Sequence, residues 1–314
     1  YKDIEPLDCA YDHNSKVYWI GDKKSSLIKM YSNKTFENIV FNGPYSNFVF
    51  ELKAQGDQLW VAPGGYTSVW AKQWKTDGLF YYTDNEWHNI NYLNTEALDT
   101  ISDIVTIAID PRNNSKVYVG SYHKGILEFE DFKLKNIYSK ENSSLGELEG
   151  YGYVYVTGLD FDSKNNLWVA NSGTDKKLSV KTTKDEWYSF NIGSGNIGRL
   201  LVDANDYKWI LHRDGYFVVF NDNKTISNPN DDTYKIVGTT VGQGGLQAAA
   251  NCMAVDSKGT VWVGTNDGLA QFYSTSKIFK QGVNYDASRI LVPRNDGSGQ
   301  ADYLLSGESV TSIC

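Results

Sequence analysis

The chain has 314 residues, with 30 Lys and Arg against 38 Asp and Glu, a formal net charge of −8. That balance lacks the positive field a phosphate backbone needs, which argues against nucleic acid as a partner and against simple adsorption to an anionic membrane surface. Hydrophobic residues make up 41%, too many for intrinsic disorder; no apolar run approaches the ~18 residues of a membrane span; and 22 Tyr, 13 Phe, 9 Trp and 28 Gly beside 2 Met favour strands and tight turns over helices.

Taken in chain order, one unit recurs: a polar turn opening on Asp, an apolar strand carrying a central aromatic, a second turn, and another strand. Residues 12–21 (Asp-His-Asn-Ser-Lys-Val-Tyr-Trp-Ile-Gly) lead to 26–30; 56–61 lead, after a long insertion, to 78–82. Residues 110–120 lead to 125–129, 162–169 to 178–180, 203–210 to 214–220, and 256–265 to 268–272. The aligned aromatics are Trp19, Trp60, Tyr118, Trp168, Trp209 and Trp262, spaced 41, 58, 50, 41 and 53 residues apart. A base unit of about 41 residues is the size of one four-stranded propeller blade. The remaining strands are expected before the Asp turns, at 104–109, 156–161, 197–202 and 252–255, and after the second strand pair, at 86–90, 186–190 and 276–279. One meander cannot bury both faces alone, so neighbouring blades must cover one another. At the C-terminus, residues 308–314 (Glu-Ser-Val-Thr-Ser-Ile-Cys) match the strand that precedes each Asp turn. The fold expected is all-β: a β-propeller of six complete blade units plus a partial seventh, occupying 1–314 as one domain and belonging to a longer chain.

The stretch 259–269 (Gly-Thr-Val-Trp-Val-Gly-Thr-Asn-Asp-Gly-Leu) resembles the two-component regulator propeller repeat. The stretch 296–305 (Asp-Gly-Ser-Gly-Gln-Ala-Asp-Tyr-Leu-Leu), running into Ser309-Val310-Thr311-Ser312-Ile313, is similar to the PorZ family of type IX secretion. That resemblance implies a non-catalytic protein of secretion and surface attachment at the outer membrane or in the periplasm. It also implies lipopolysaccharide and other outer-membrane secretion or attachment proteins as partners, and a family layout of two propellers and a small C-terminal domain.

Residues with overt chemistry are few. His13, His88, His123 and His212 lack metal-ligand spacing, and there is no HExxH or GxSxG. Cys9, Cys252 and Cys314 form neither a disulfide framework nor a CxxC site; Cys9 and Cys252 read as small buried apolar residues. The run Gly242-Gln243-Gly244-Gly245 reads as a flexible loop. Asp296–Asp302 imitates a calcium loop, but its first ligand position would fall on Arg294, so a tight hairpin is expected. Carboxylate pairs such as Asp203 and Asp206 recur at equivalent turns, where Asp caps its own backbone two residues on; a catalytic pair needs one unique environment. No cofactor, no metal and no enzymatic activity are expected.

The insertions carry the functional signal. They fall at 63–77, between a unit's second and third strands, and at 91–103, 139–155, 223–251 and 281–307, between units, all of which should share one face. Loops on a rigid scaffold are where binding is built. The 63–77 loop holds Tyr66, Trp70, Lys72, Trp74 and Lys75; related loops hold Tyr122, His123 and Lys124, and His212 and Arg213. Rings that stack on sugars, beside ammonium groups, suit an anionic glycan. These ten residues are the candidate ligand-binding set, against the alternative that Trp70 and Trp74 only pack the loop down. Two other functions remain open: the oligosaccharide-sensing domain of a hybrid two-component receptor, and a polysaccharide lyase or glycosidase, which would need a unique acid–base cluster in the channel.

Overall fold

A computed structural model describes residues 4–39, 42–193, 195–239, 249–283 and 285–314. Six antiparallel four-stranded meanders follow one another along the chain. The first comprises β1 (Pro6–Asp12), β2 (Val17–Asp22), β3 (Ser26–Tyr31) and β4 (Phe36–Ile39). The second comprises β5 (Glu51–Gln55), β6 (Gln58–Ala62), β7 (Leu79–Thr83) and β8 (Glu86–Ile90). The third comprises β9 (Ile104–Ile109), β10 (Lys116–His123), β11 (Gly125–Glu130) and β12 (Lys133–Tyr138), and the fourth β13 (Val154–Phe161), β14 (Leu167–Ser172), β15 (Leu178–Lys181) and β16 (Trp187–Phe190). The fifth comprises β17 (Ile197–Val202), β18 (Lys208–His212), β19 (Phe217–Asn221) and β20 (Thr233–Val237), and the sixth β21 (Ala250–Val255), β22 (Val261–Thr265), β23 (Gly268–Phe272) and β24 (Ser288–Arg289). A hairpin, β25 (Leu291–Pro293) with β26 (Ala301–Tyr303), follows. The third and fourth meanders join through Tyr122↔Tyr155 and His123↔Val154. The architecture is an all-β propeller.

The six aligned aromatics all lie on the second strand of their meander. The Asp turns explain why the pattern repeats. The carboxylates of Asp12, Asp110, Asp162, Asp203 and Asp256 each accept the backbone N–H two residues on, at 2.8–3.0 Å. In three meanders the other carboxylate oxygen also accepts an indole N–H: Trp168 to Asp162, Trp209 to Asp203 and Trp262 to Asp256, at 3.0–3.1 Å. A buried Trp needs such a partner, so the six-residue spacing from Asp to Trp ties turn to strand.

Four apolar clusters lie between successive meanders. Trp60, Leu79, Val119 and Phe129 join the second and third; Tyr118, Ile126, Val156 and Val169 the third and fourth. Trp168, Val180, Ile210 and Phe220 join the fourth and fifth; Trp209, Phe217, Val263 and Phe272 the fifth and sixth. Each fully buried side chain of this size contributes about 1.5–3 kcal/mol of transfer free energy. Residues 308–310 sit beside the sixth meander, where Gly268 N donates to Glu308 O at 2.7 Å and Val310 N to Thr265 O at 2.9 Å. Gly64 N donates in the same way to Ile104 O, at the start of the third meander's inner strand. The C-terminal segment therefore takes the place that an inner strand takes beside earlier meanders.

Several sequence expectations need correction. Residues 276–279 do not form the sixth unit's last strand: Thr275–Lys277 is a 3-10 turn, Ile278 is fully buried in the core beside it, and β24 supplies the fourth strand. The stretch 223–251 is not one connection between units. β20 lies inside it, so 222–232 joins β19 to β20 on the Asp-turn face, where Lys164 Nζ donates to Lys224 O at 3.3 Å. Cys9 is exposed, whereas Cys252 is buried. Residues 291–303 form the expected hairpin, clamped by Arg294 Nε and Nη2 on the two carboxylate oxygens of Asp302 at 2.6 Å. Gly242–Gly245 lies outside the described residues. Among the described residues, no helix is long and apolar enough to cross a membrane.

Candidate functional site

The 63–77 loop begins as a small hairpin. Tyr66 bridges Lys72, and Trp70 N donates to Thr67 O at 2.8 Å. Trp70 and Trp74 both have left-handed backbones, with φ of 63° and 59°, a conformation costing a side-chain-bearing residue roughly 1–2 kcal/mol. Contacts from other loops hold them there. Tyr122 Oη donates to Trp70 O at 3.0 Å, and Asp103, fully buried, accepts from Trp74 N and Lys75 N at 2.9 and 3.1 Å. Burial pushes the Asp103 carboxyl up, against these N–H groups and the Lys72 charge.

The loop's aromatic rings join those of the third and fourth meanders. Trp74 meets His123 edge-on at 5.4 Å and Tyr153 at 5.9 Å; His123 meets Tyr153 at 5.1 Å. Tyr122 stacks on Tyr155 at 4.0 Å, and Tyr66 lies 5.0 Å from both Tyr122 and Trp70. Lys72 Nζ sits between two ring faces, 3.7 Å from Trp74 and 4.1 Å from Tyr153, without a hydrogen-bond partner. Burial, opposed by Asp103 and reinforced by Lys124, holds its pKa down at about 8. Burial, together with Lys72 and Lys124, holds His123 down at about 4, and its Nδ1 lies 3.1 Å from Ser102 Oγ.

The ten expected residues thus divide. Tyr66, Trp70, Lys72, Trp74, Tyr122 and His123 form one cluster, with Lys124 exposed beside it and near enough to act on Lys72 and His123. Arg213 is exposed, and its charge is felt at Tyr122. Lys75 turns away, 3.9 Å over the Phe48 ring with its Nζ donating to Gly64 O at 3.4 Å. His212 is buried, stacked on Tyr216 at 4.1 Å. Trp70 is half-buried: a Cβ placed on Gly198 would lie 2.8 Å from Trp70 Cη2, so the indole from the second meander's loop reaches the inner strand of the fifth. Trp74, 55% exposed, is the ring open to a ligand.

Sequence reasoning missed Tyr151, Tyr153, Tyr155 and Asp103. Tyr151 is 67% exposed and extends the platform, with rings spaced 5.9 and 6.0 Å along the three tyrosines. Their alternation in Tyr-Gly-Tyr-Val-Tyr is a strand signal with one aromatic face. Asp103 carried no signal, because its role depends on a loop near in space and distant in sequence. The assembled surface can stack sugar rings on Trp74 and Tyr151 and offer the exposed cations Lys124 and Arg213 to acid groups, while the Lys72 ammonium stays enclosed between the Trp74 and Tyr153 rings.

A family described as "Two component regulator propeller" matches residues 244–267. No curated protein matches the chain by sequence. Among solved structures, PorZ, a bacterial surface component of the type IX secretion system of Porphyromonas gingivalis, superposes with a TM-score of 0.83 at 23% identity, covering 99% of this chain and 44% of PorZ. The extracellular domain of BT3049 from B. thetaiotaomicron, described as a hybrid two-component system, gives 0.54 at 16% identity, covering 98% of this chain and 39% of that one. Virginiamycin B lyase from Staphylococcus aureus gives 0.52 at 11% identity, covering 86% and 81%. At these identities the likeness is one of fold, and the chain spans less than half the length of PorZ and of the BT3049 domain.

Proposed function

We propose that this chain is a non-enzymatic, extracytoplasmic propeller module of a longer protein that serves protein secretion and cell-surface attachment in the manner of PorZ. In this reading it acts at the outer-membrane surface or in the periplasm beside other secretion or attachment proteins. It recognises an anionic glycan such as lipopolysaccharide at the aromatic platform. The observation that carries the reading is the pair of exposed rings, Trp74 and Tyr151, on either side of the half-buried Tyr153, with Lys72 packed behind them and Lys124 exposed beside them. The cations supply locally the positive charge that a chain of net −8 lacks overall. The carboxylates at the Asp turns are occupied by their own backbone N–H groups and by Trp indoles, which favours a binding role over acid–base chemistry.

Binding of purified lipopolysaccharide by the wild type and by Trp74→Ala and Tyr153→Ala, at low and high salt, tests the proposal. Ring contacts should persist as the Debye length shrinks from ~10 Å at 0.1 M to ~3 Å at 1 M, while the contribution of Lys124 should fade. Equal binding by all three proteins would remove the platform from the site. Turnover of a polysaccharide by the purified chain would replace the binding role with a lyase or glycosidase. The fold likeness to a sensor extracellular domain keeps oligosaccharide sensing as a second reading; preference for a neutral oligosaccharide over lipopolysaccharide would select it.

A further inference from the structure

Inner strands, which line the central channel of a propeller, carry charged residues in different meanders: Glu51 and Lys53 on β5, Asp160 on β13 and Arg199 on β17. Their charges act on groups of other meanders. Burial pushes up Glu51 and Tyr66 of the second meander and Cys252 of the sixth, and the Arg199 charge pulls against all three shifts. Lys53 pulls in the same way on Asp160 of the fourth.

The two signs are not equally engaged. Glu51 Oε1 accepts from Thr106 Oγ1 at 3.1 Å and Ile107 N at 2.9 Å. Asp160 accepts from Phe161 N at 2.9 Å and Val202 N at 2.8 Å. Each carboxylate is thus tied to the backbone of the next meander's inner strand. Arg199 and Lys53 have no hydrogen-bond acceptor and no ion pair among the described residues. The nearest ring to the guanidinium is Phe50, at 6.0 Å.

Strand geometry sets this difference. The register of β17 against β18 slips between Ile197 and Leu200, and a bulge of this kind re-aims a side chain. The slips in β13 and β21 fall at Thr157 and Asn251, whose side chains find protein acceptors. Thr157 Oγ1 donates to Ile197 O and Gly198 O at 3.0 Å, and Asn251 Nδ2 to Asn266 Oδ1 at 2.9 Å. At the equivalent slip in the fifth meander, Gly198 lies under Trp70 and Arg199 beside it has no such use. A forked cation with no protein acceptor, in a channel with low-dielectric walls, is a receptor for an oxyanion.

We infer that the channel beneath Trp70 is an oxyanion site, in which the Arg199 fork takes a carboxylate or phosphate group of a small ligand and Lys53 supplies a second positive charge. The site uses neither Trp74, Tyr153 nor Lys72, so it does not rest on the glycan reading of the platform.

The test is calorimetric titration of the whole chain with glucuronate, glucose 6-phosphate and glucose. Binding of either anionic sugar without glucose binding supports the site; glucuronate alone assigns a carboxylate and glucose 6-phosphate alone a phosphate. Arg199→Gln should weaken that binding roughly tenfold or more, as expected for a hydrogen bond to a charged group. Arg199→Lys should restore part of it. Trp74→Ala should leave it unchanged. Because Arg199 makes no hydrogen bond to the protein, the Gln variant should stay folded and lose only the support that the Arg199 charge gives Glu51. If it fails to fold, Lys53→Met provides the independent variant, with a smaller loss expected. No binding of either anion, or equal binding by Arg199→Gln and Lys53→Met, would overturn the inference. Loss with Trp74→Ala alone would move the anion to the platform and leave the channel without a ligand.

Discussion

In the fourth meander β14 and β15 are buried along their whole length, and the Trp168 indole is fully enclosed with its N–H on Asp162. In the first, β1 is exposed from Pro6 to Tyr11, Trp19 is half-buried, and the nearest cation to its ring is Lys29 at 5.5 Å. Both have the same strand order, the same Asp turn and the same aromatic on the second strand. The fourth is flanked by the clusters it shares with the third and fifth; none of the four clusters draws on the first. Leu7 and Tyr11, on alternating positions of β1, stay exposed at 73% and 41%. A meander's topology is therefore local, set by turn and alternation, whereas its burial is supplied by its neighbours.

The largest expected consequence is in the core. Trp168→Ala should destabilise the chain by about 3–5 kcal/mol, the range for truncating an enclosed large side chain, and Trp19→Ala by much less, both read from urea melts. Equal losses would mean that the first meander is packed in solution as the fourth is. Next come the turns. Asp203 is buried and accepts from Asn205 N, Tyr207 N and the Trp209 indole. Asp203→Ala leaves these donors without their acceptor and should cost about 2–4 kcal/mol. The same change at Asp12, whose bonds are solvent-exposed, should shift the melting midpoint far less. If the two changes cost the same, the indole bond adds nothing to the turn.

The smallest effect is a pH dependence confined to the packed half. His123 titrates at about 4 in the folded chain against an ordinary 6.5, so the unfolded state binds the proton more readily between those values. The stability it contributes is present above pH 6.5 and is lost as pH falls toward 4. His123→Gln should flatten that part of the acid stability curve. Lys72, at about 8 against 10.5, places a second rise in stability between those values, which Lys72→Met should abolish. Unchanged curves in both variants would place these side chains in water and outside the ring cluster.

Much of this was legible in the residues. The Asp-to-aromatic spacing, the alternation of each strand and the Gly-rich turns are short-range features, and they located the second strand of every meander. The expectation for 276–279 failed because Phe279 looked like a strand aromatic, while Ser274, with a φ of 51°, turns the chain into a 3-10 segment that drops Ile278 into the core. The 63–77 loop stood out by its composition. Which of its side chains faces a ligand did not: Trp70 and Trp74 are alike in sequence, yet one reaches Gly198 and the other is open to solvent.

What the sequence determined by itself was therefore the unit: a turn closed by Asp on its own backbone, and strands whose inward and outward residues alternate. Those choices are made within a few residues, by bonds that form whatever stands nearby. The tertiary structure decided which units are covered, how Lys72 comes to lie between Trp74 and Tyr153, and why Arg199 is left without an acceptor while Thr157 and Asn251 are not. Each of these joins residues from different meanders, or depends on what an adjoining strand offers. Burial, ring stacking and the satisfaction of a charge are properties of the space between elements, and no local pattern specifies that space.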